Sequence, residues 1–186
     1  RPDLFMRHIP NIITLIRVIL APVIAVMIAM MAAEQAMLIL CLYLVAAISD
    51  WLDGYLAREM QVISPMGRML DPIADKLLIA GCLLGLAATR STDMLFILPA
   101  LAILFREILV SGLREYLADT KITVHVTTLA KWKTAIQMTA IGCLISYPAA
   151  LVPDWVELAG LAILWLAGIL TIITGWQYFH AARDYL

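Results

Sequence analysis

The chain has 186 residues, 63% hydrophobic and only 15% charged, with a formal net charge of −1, and its mean hydropathy is +0.94. That balance lies outside the range of soluble domains and points to one membrane-embedded domain, residues 1–186. No nucleic-acid partner is expected.

Six apolar segments stand at about 12–33, 36–57, 69–89, 94–113, 129–147 and 154–180, each near the roughly 20 residues that cross a bilayer. Lipid admits only helices or closed barrels, and these runs lack the alternation of barrel strands. The expectation is therefore an all-α integral membrane protein with six transmembrane helices. Ahead of the first segment, Arg1–His8 carries Arg, Phe and Met. It suits a short interfacial segment on the membrane surface, a frayed basic flank being the alternative. Asn11 is placed to cap the first helix, and Pro10 blocks its backward extension. Pro99 is expected to bend the fourth segment, and 114–128 forms the longest polar connection. Cys41, Cys82 and Cys143 fall in three different apolar runs without metal-ligand spacing, so they read as small buried hydrophobes with no disulfide. The first apolar run exceeds a signal-peptide core and is not followed by a small-residue cleavage site.

Lys and Arg set the orientation. With the start of the chain in the cytoplasm, twelve of the thirteen basic residues lie on the inner side, and only Arg90 lies outside. A bias of this size predicts both termini cytoplasmic. It also puts 50–75 at the cytoplasmic end of the second and third helices.

That stretch reads Asp50-Trp51-Leu52-Asp53-Gly54-Tyr55-Leu56-Ala57-Arg58, then eight residues, then Gly67-Arg68-Met69-Leu70-Asp71-Pro72-Ile73-Ala74-Asp75. Carboxylates at membrane depth are costly and usually functional. On a helix Asp50 and Asp53 lie about 60° apart and Asp71 and Asp75 about 40° apart, so each pair offers two oxygens to one side. Four carboxylates brought together need a cation or protons to balance them. Hard divalent cations take oxygen ligands and bridge carboxylates to phosphates, and two ions roughly 4 Å apart can clamp a pyrophosphate. Gly54 and Gly67 leave room for a ligand, Arg58 presents a fork suited to phosphate oxygens, and Ser64 offers a hydroxyl. Taken singly these four have plainer readings, as packing glycines and an interfacial arginine.

The string Asp-x₂-Asp-Gly-x₂-Ala-Arg-x₈-Gly-x₃-Asp-x₃-Asp resembles, without departure, the signature of the CDP-alcohol phosphotransferase family. The resemblance implies a six-helix membrane enzyme, usually a homodimer, in which an alcohol hydroxyl displaces CMP from a CDP-linked lipid. It implies that Asp50, Asp53, Asp71 and Asp75 bind divalent metal, Mg²⁺ first and Mn²⁺ as the alternative, in two ions. Asp75 is by the same likeness the general base. Gly54, Arg58, Ser64 and Gly67, with Pro10 and Asn11, would contact the CDP-diacylglycerol.

The acceptor is read from the second half of the chain. Arg106 and Arg114 lie about 12 Å apart along a helix and about 80° around it, so both can line one side of a cavity. A structural pair between Arg106 and Glu107 is the alternative. Lys131 and Lys133 are about 200° apart on a regular helix and would not both enter one pocket. The gathering of cations near one cytoplasmic mouth suits an anionic acceptor such as a phosphorylated alcohol. Arg106–Glu115, Lys131–Gln137 and the opening Ile9–Arg17 resemble the branch of the family that uses glycerol 3-phosphate, which makes Arg106, Arg114, Lys131 and Lys133 its expected contacts. The expected reaction joins the phosphatidyl group to the 1-hydroxyl of sn-glycerol 3-phosphate, at a bacterial inner membrane with the site facing the cytoplasm. A cardiolipin synthase using phosphatidylglycerol is the nearest alternative, and an ion or proton transporter a remote one.

Overall fold

Backbone in hydrocarbon has to satisfy its own hydrogen bonds, and this chain does so with helices. The computed structural model describes residues 9–59, 65–90, 92–119 and 128–183, and excludes the side chains of 9–11, 50–59, 65–68, 71, 118–119 and 128–131 from that description. Among the described residues there are six α-helices and no strand: α1 Ile9–Ala29, α2 Ala36–Glu59, α3 Pro65–Thr89, α4 Met94–Asp119, α5 Thr128–Ser146 and α6 Trp155–Ala182. A single 3-10 turn, Ala33–Gln35, joins α1 to α2. The expected interfacial segment 1–8 lies outside the described residues.

Among the described residues, four helices, α1, α3, α4 and α6, are long and apolar enough to cross a membrane. In α2 the apolar stretch among the described residues is Ala33–Ser49. In α5 the charged residues Lys131 and Lys133 interrupt the run. Polarity is inverted relative to a soluble protein. Thr14, Arg17, Lys133, Gln137, Thr171 and Thr174 are buried, while Ile19, Leu84, Leu98, Ile108, Leu109 and Ile172 are exposed. Such a surface suits lipid rather than water. Trp155 and Trp176, both exposed, stand about 32 Å apart along α6. That is close to the roughly 30 Å of hydrocarbon which aromatic residues flank in membrane helices.

Two helix boundaries differ from expectation for local reasons. Helix α1 already includes Ile9, so Asn11 lies within the helix and not at its cap position. Helix α4 runs six residues past its apolar segment, to Asp119. Val110 and Leu117 are buried with Tyr178 and Ala182 of α6, and Leu113 packs against them. Spaced three and four apart, the α4 residues form an apolar stripe that carries the helix beyond the expected edge.

The chain divides into two compact units, Arg1–Thr89 with Ile145–Pro153, and Arg90–Leu144 with Asp154–Leu186. In the first, α1 packs extensively on α3 and also on α2, whereas α2 and α3 meet only sparsely among the described residues. A Cβ added at Gly81 would sit 3.3 Å from the Ala21 carbonyl oxygen and the Ala25 Cβ, and one at Gly85 only 2.5 Å from the Ala25 carbonyl oxygen. The two helices are therefore parallel, with backbones in close approach over small residues. Around this seam Ala21, Ile24, Ile28, Ile39, Tyr43, Leu78, Cys82 and Leu86 form the core.

In the second unit α4 and α6 are also parallel. Pro99 abuts Gly168, Arg106 abuts Gly175, and the Trp165 indole N–H donates to the Leu95 carbonyl at 2.8 Å. Helix α5 runs antiparallel to α6, with Gln137 beside Thr171 and Leu144 beside Gly160. Arg90, the one cation expected outside, pairs with Glu157 at 2.7 Å and Asp93 at 3.5 Å. Asp93 in turn caps α4 through its Oδ1, which accepts from the Leu95 amide at 3.0 Å.

Candidate active site

Asp50 and Asp53 fall near the C-terminal end of α2, and Asp71 and Asp75 in the N-terminal half of α3. Both spans are helical throughout, so each pair lies within about one helical turn. Gly67 also falls on α3, whose described span is Pro65–Thr89. Gly54 and Arg58 lie on α2, Pro10 and Asn11 in the first turn of α1, and Lys131 in the first turn of α5. Ser64 lies outside the described residues, and the side-chain surroundings of Pro10, Asn11, Asp50, Asp53, Gly54, Arg58, Gly67, Asp71 and Lys131 are likewise not described.

Asp75 is partly buried, with its Oδ1 atom out of reach of solvent. Its neighbours on the same helix face, Ala74, Leu78 and Ile79, belong to the core. The helix that α2 and α3 share is α1, so α1 is the splint on which both pairs of aspartates are mounted. The four aspartates expected to hold metal would offer carboxylate oxygens alone, with neither thiol nor imidazole. That is a hard oxygen set that can hold Mg²⁺ or Mn²⁺ and does not suit a thiophilic ion.

Arg17 adds a feature that positive-inside counting passes over. It is 1% exposed, one turn from the equally buried Thr14, on the face of α1 that also buries Ala21 and Ile24. The α1–α3 register, Ala21 beside Gly81 and Ala25 beside Gly85, carries Arg17 to the level of Leu77. That is about 3 Å along the axis from Asp75. A cation at this depth offsets part of the repulsion among carboxylates. The sequence signal was an arginine inside an apolar helix.

The second unit holds a separate polar cluster. Glu107 on α4 pairs with Lys133 of α5 and, at 3.2 Å, with Arg106. Arg106 Nη2 also donates to the Thr174 hydroxyl on α6 at 3.4 Å. One turn back, Gln137 Nε2 donates to the Thr171 hydroxyl at 3.0 Å. The Thr174 hydroxyl donates to the carbonyl oxygens of Leu170 and Thr171. Arg106 Nε and Gln137 Oε1 are buried without hydrogen-bond partners among the described residues. A Cβ at Gly175 would come within 2.9 Å of Arg106 Cγ, so the glycine leaves the space the arginine stem occupies.

Of the four expected acceptor contacts, the fold gathers Arg106 and Lys133 on one carboxylate. Arg114 is exposed two turns further along α4. Gln137, Thr171 and Thr174 were not singled out as site residues from sequence. Gln137 lies one turn from Lys133 on α5, a visible spacing, but the two threonines become a polar patch only where α5 and α4 meet α6.

A family model described as CDP-alcohol phosphatidyltransferase matches residues 7–173. A protein of Rickettsia bellii named CDP-diacylglycerol–glycerol-3-phosphate 3-phosphatidyltransferase is 43% identical over 178 residues, covering 96% of this chain and 97% of the relative. Proteins of the same name from Cereibacter sphaeroides and Salmonella typhimurium are each 38% identical, covering 96% and 95% of this chain and the same shares of their own. With the aspartate spacing carried intact on two helices, the chain belongs to the CDP-alcohol phosphatidyltransferase family.

Proposed function

We propose that the protein transfers the phosphatidyl group of CDP-diacylglycerol to the 1-hydroxyl of sn-glycerol 3-phosphate, giving phosphatidylglycerophosphate and CMP. The observation that carries this reading is the end-to-end similarity to relatives named for that donor and that acceptor. The 1-hydroxyl oxygen bonds to the lipid-side phosphorus as the bridging P–O bond to CMP breaks. The hydroxyl proton passes to Asp75, and the electron pair of the broken bond leaves with CMP. Asp50, Asp53, Asp71 and Asp75 would hold divalent metal, which when bound supplies charge neutralisation for a pyrophosphate and acidifies a nearby hydroxyl.

Pro10, Asn11, Gly54, Arg58, Ser64 and Gly67 bind the CDP-diacylglycerol. Arg106, Arg114, Lys131 and Lys133 draw in the acceptor phosphate. In this reading Glu107 holds Arg106 and Lys133 at one place between turnovers. The working form is a homodimer in a bacterial inner membrane, each copy a single domain whose six helices span with both ends and the site on the cytoplasmic side.

The test is incubation of purified protein with CDP-diacylglycerol, Mg²⁺ and labelled glycerol 3-phosphate. Label in a chloroform-soluble phosphorylated lipid with stoichiometric CMP is the expected result. No such product, or product only from phosphatidylglycerol, overturns the reading.

A further inference from the structure

Resting on the acceptor reading above, we propose that Gln137 is a specificity residue that reads the free 2-hydroxyl of the phosphorylated acceptor. Gln137 is 1% exposed. One end of its amide is held by the Thr171 hydroxyl at 3.0 Å, and the other is buried without a partner among the described residues. A buried amide end left in that state is costly, and such groups are ordinarily satisfied by protein, water or ligand.

The neighbourhood indicates what would satisfy it. Lys133 lies one turn before Gln137 on α5, so the two share a helix face. Thr171, which holds Gln137, lies three residues from Thr174, which accepts from Arg106. Three residues of helix rise about 4.5 Å, a span comparable with a phosphorylated three-carbon chain. A phosphate held between Arg106 and Lys133 therefore leaves the carbon skeleton of its own ester within reach of the free amide end. A hydroxyl can either donate or accept, so it satisfies that end whichever way the amide is turned. A methylene at the same place can do neither, and the amide would stay unpaired throughout turnover.

The discriminating substrate is 3-hydroxypropyl phosphate, which keeps the phosphate and the reacting primary hydroxyl of glycerol 3-phosphate and lacks only the 2-hydroxyl. The native enzyme is expected to prefer glycerol 3-phosphate by about 10- to 100-fold in kcat/KM, the range for leaving one buried polar group unsatisfied. Gln137→Met and Gln137→Leu, of similar volume, are expected to bring that preference to within about threefold, through loss on glycerol 3-phosphate alone. Equal use of the two acceptors by the native enzyme overturns the proposal without needing a variant. So does a variant that lowers both acceptors alike, which is the signature of a merely structural amide. Absence of turnover with glycerol 3-phosphate itself would instead remove the acceptor reading on which the proposal rests.

Discussion

Asp75 and Glu107 are both carboxylates set into apolar helices, and they are expected to fail differently when replaced. Asp75→Asn preserves shape and removes the proton acceptor. Turnover should fall by about 10²–10⁴-fold with the thermal transition in detergent unchanged, and near-normal activity would take Asp75 out of the reaction. Glu107→Gln removes the negative charge on which Arg106 and Lys133 both rest. It leaves two poorly solvated cations close together, and stability should drop by about 1–3 kcal/mol, read as a lower melting temperature. Arg114→Gln, at an exposed position, should stay within about 0.5 kcal/mol of native on the same measurement. Equal melting for all three proteins would show that the Glu107 pairs contribute nothing net.

At the scale of elements, the α1–α3 seam sets the position of the helix that carries Asp71 and Asp75. At Gly85 a Cβ would meet the Ala25 carbonyl oxygen at 2.5 Å and the Ile28 Cβ at 3.0 Å. Backbone cannot yield as a flexible side chain can. Gly85→Ala should therefore push α3 away from α1, cost about 1–3 kcal/mol and lower activity by displacing the aspartates. At Gly112 of α4 a Cβ would meet nothing within 4 Å, so Gly112→Ala should keep activity and gain about 0.5–1 kcal/mol from helix propensity. Melting temperatures and turnover of the two variants check both halves, and a neutral Gly85→Ala would mean the helices can separate freely. The Gly81-x₃-Gly85 spacing that makes this seam was visible in the sequence. Its partner, Ala21-x₃-Ala25, is ordinary in an apolar helix and became meaningful only as the facing surface.

At the scale of the whole molecule, the distribution of Lys and Arg predicts a topology that cysteine labelling can test. In a background lacking Cys41, Cys82 and Cys143, Leu151→Cys, 90% exposed, should react with a membrane-impermeant maleimide in intact cells. Glu115→Cys, exposed near the end of α4, should react only after permeabilisation. The reverse pattern would invert the protein and put its aspartates on the wrong side for a cytoplasmic nucleotide. The sequence by itself determined the membrane environment, the helical class and the presence of the carboxylate motif, because composition and short-range helical spacing are local properties. It also indicated that cations gather on the second half of the chain. Only the tertiary structure decided that Arg106 and Lys133 share Glu107, that Arg17 is buried close to the level of Asp75, and that one end of Gln137 is buried without a partner among the described residues. Those outcomes depend on which helix faces meet, and a face has no partner until the helices pack.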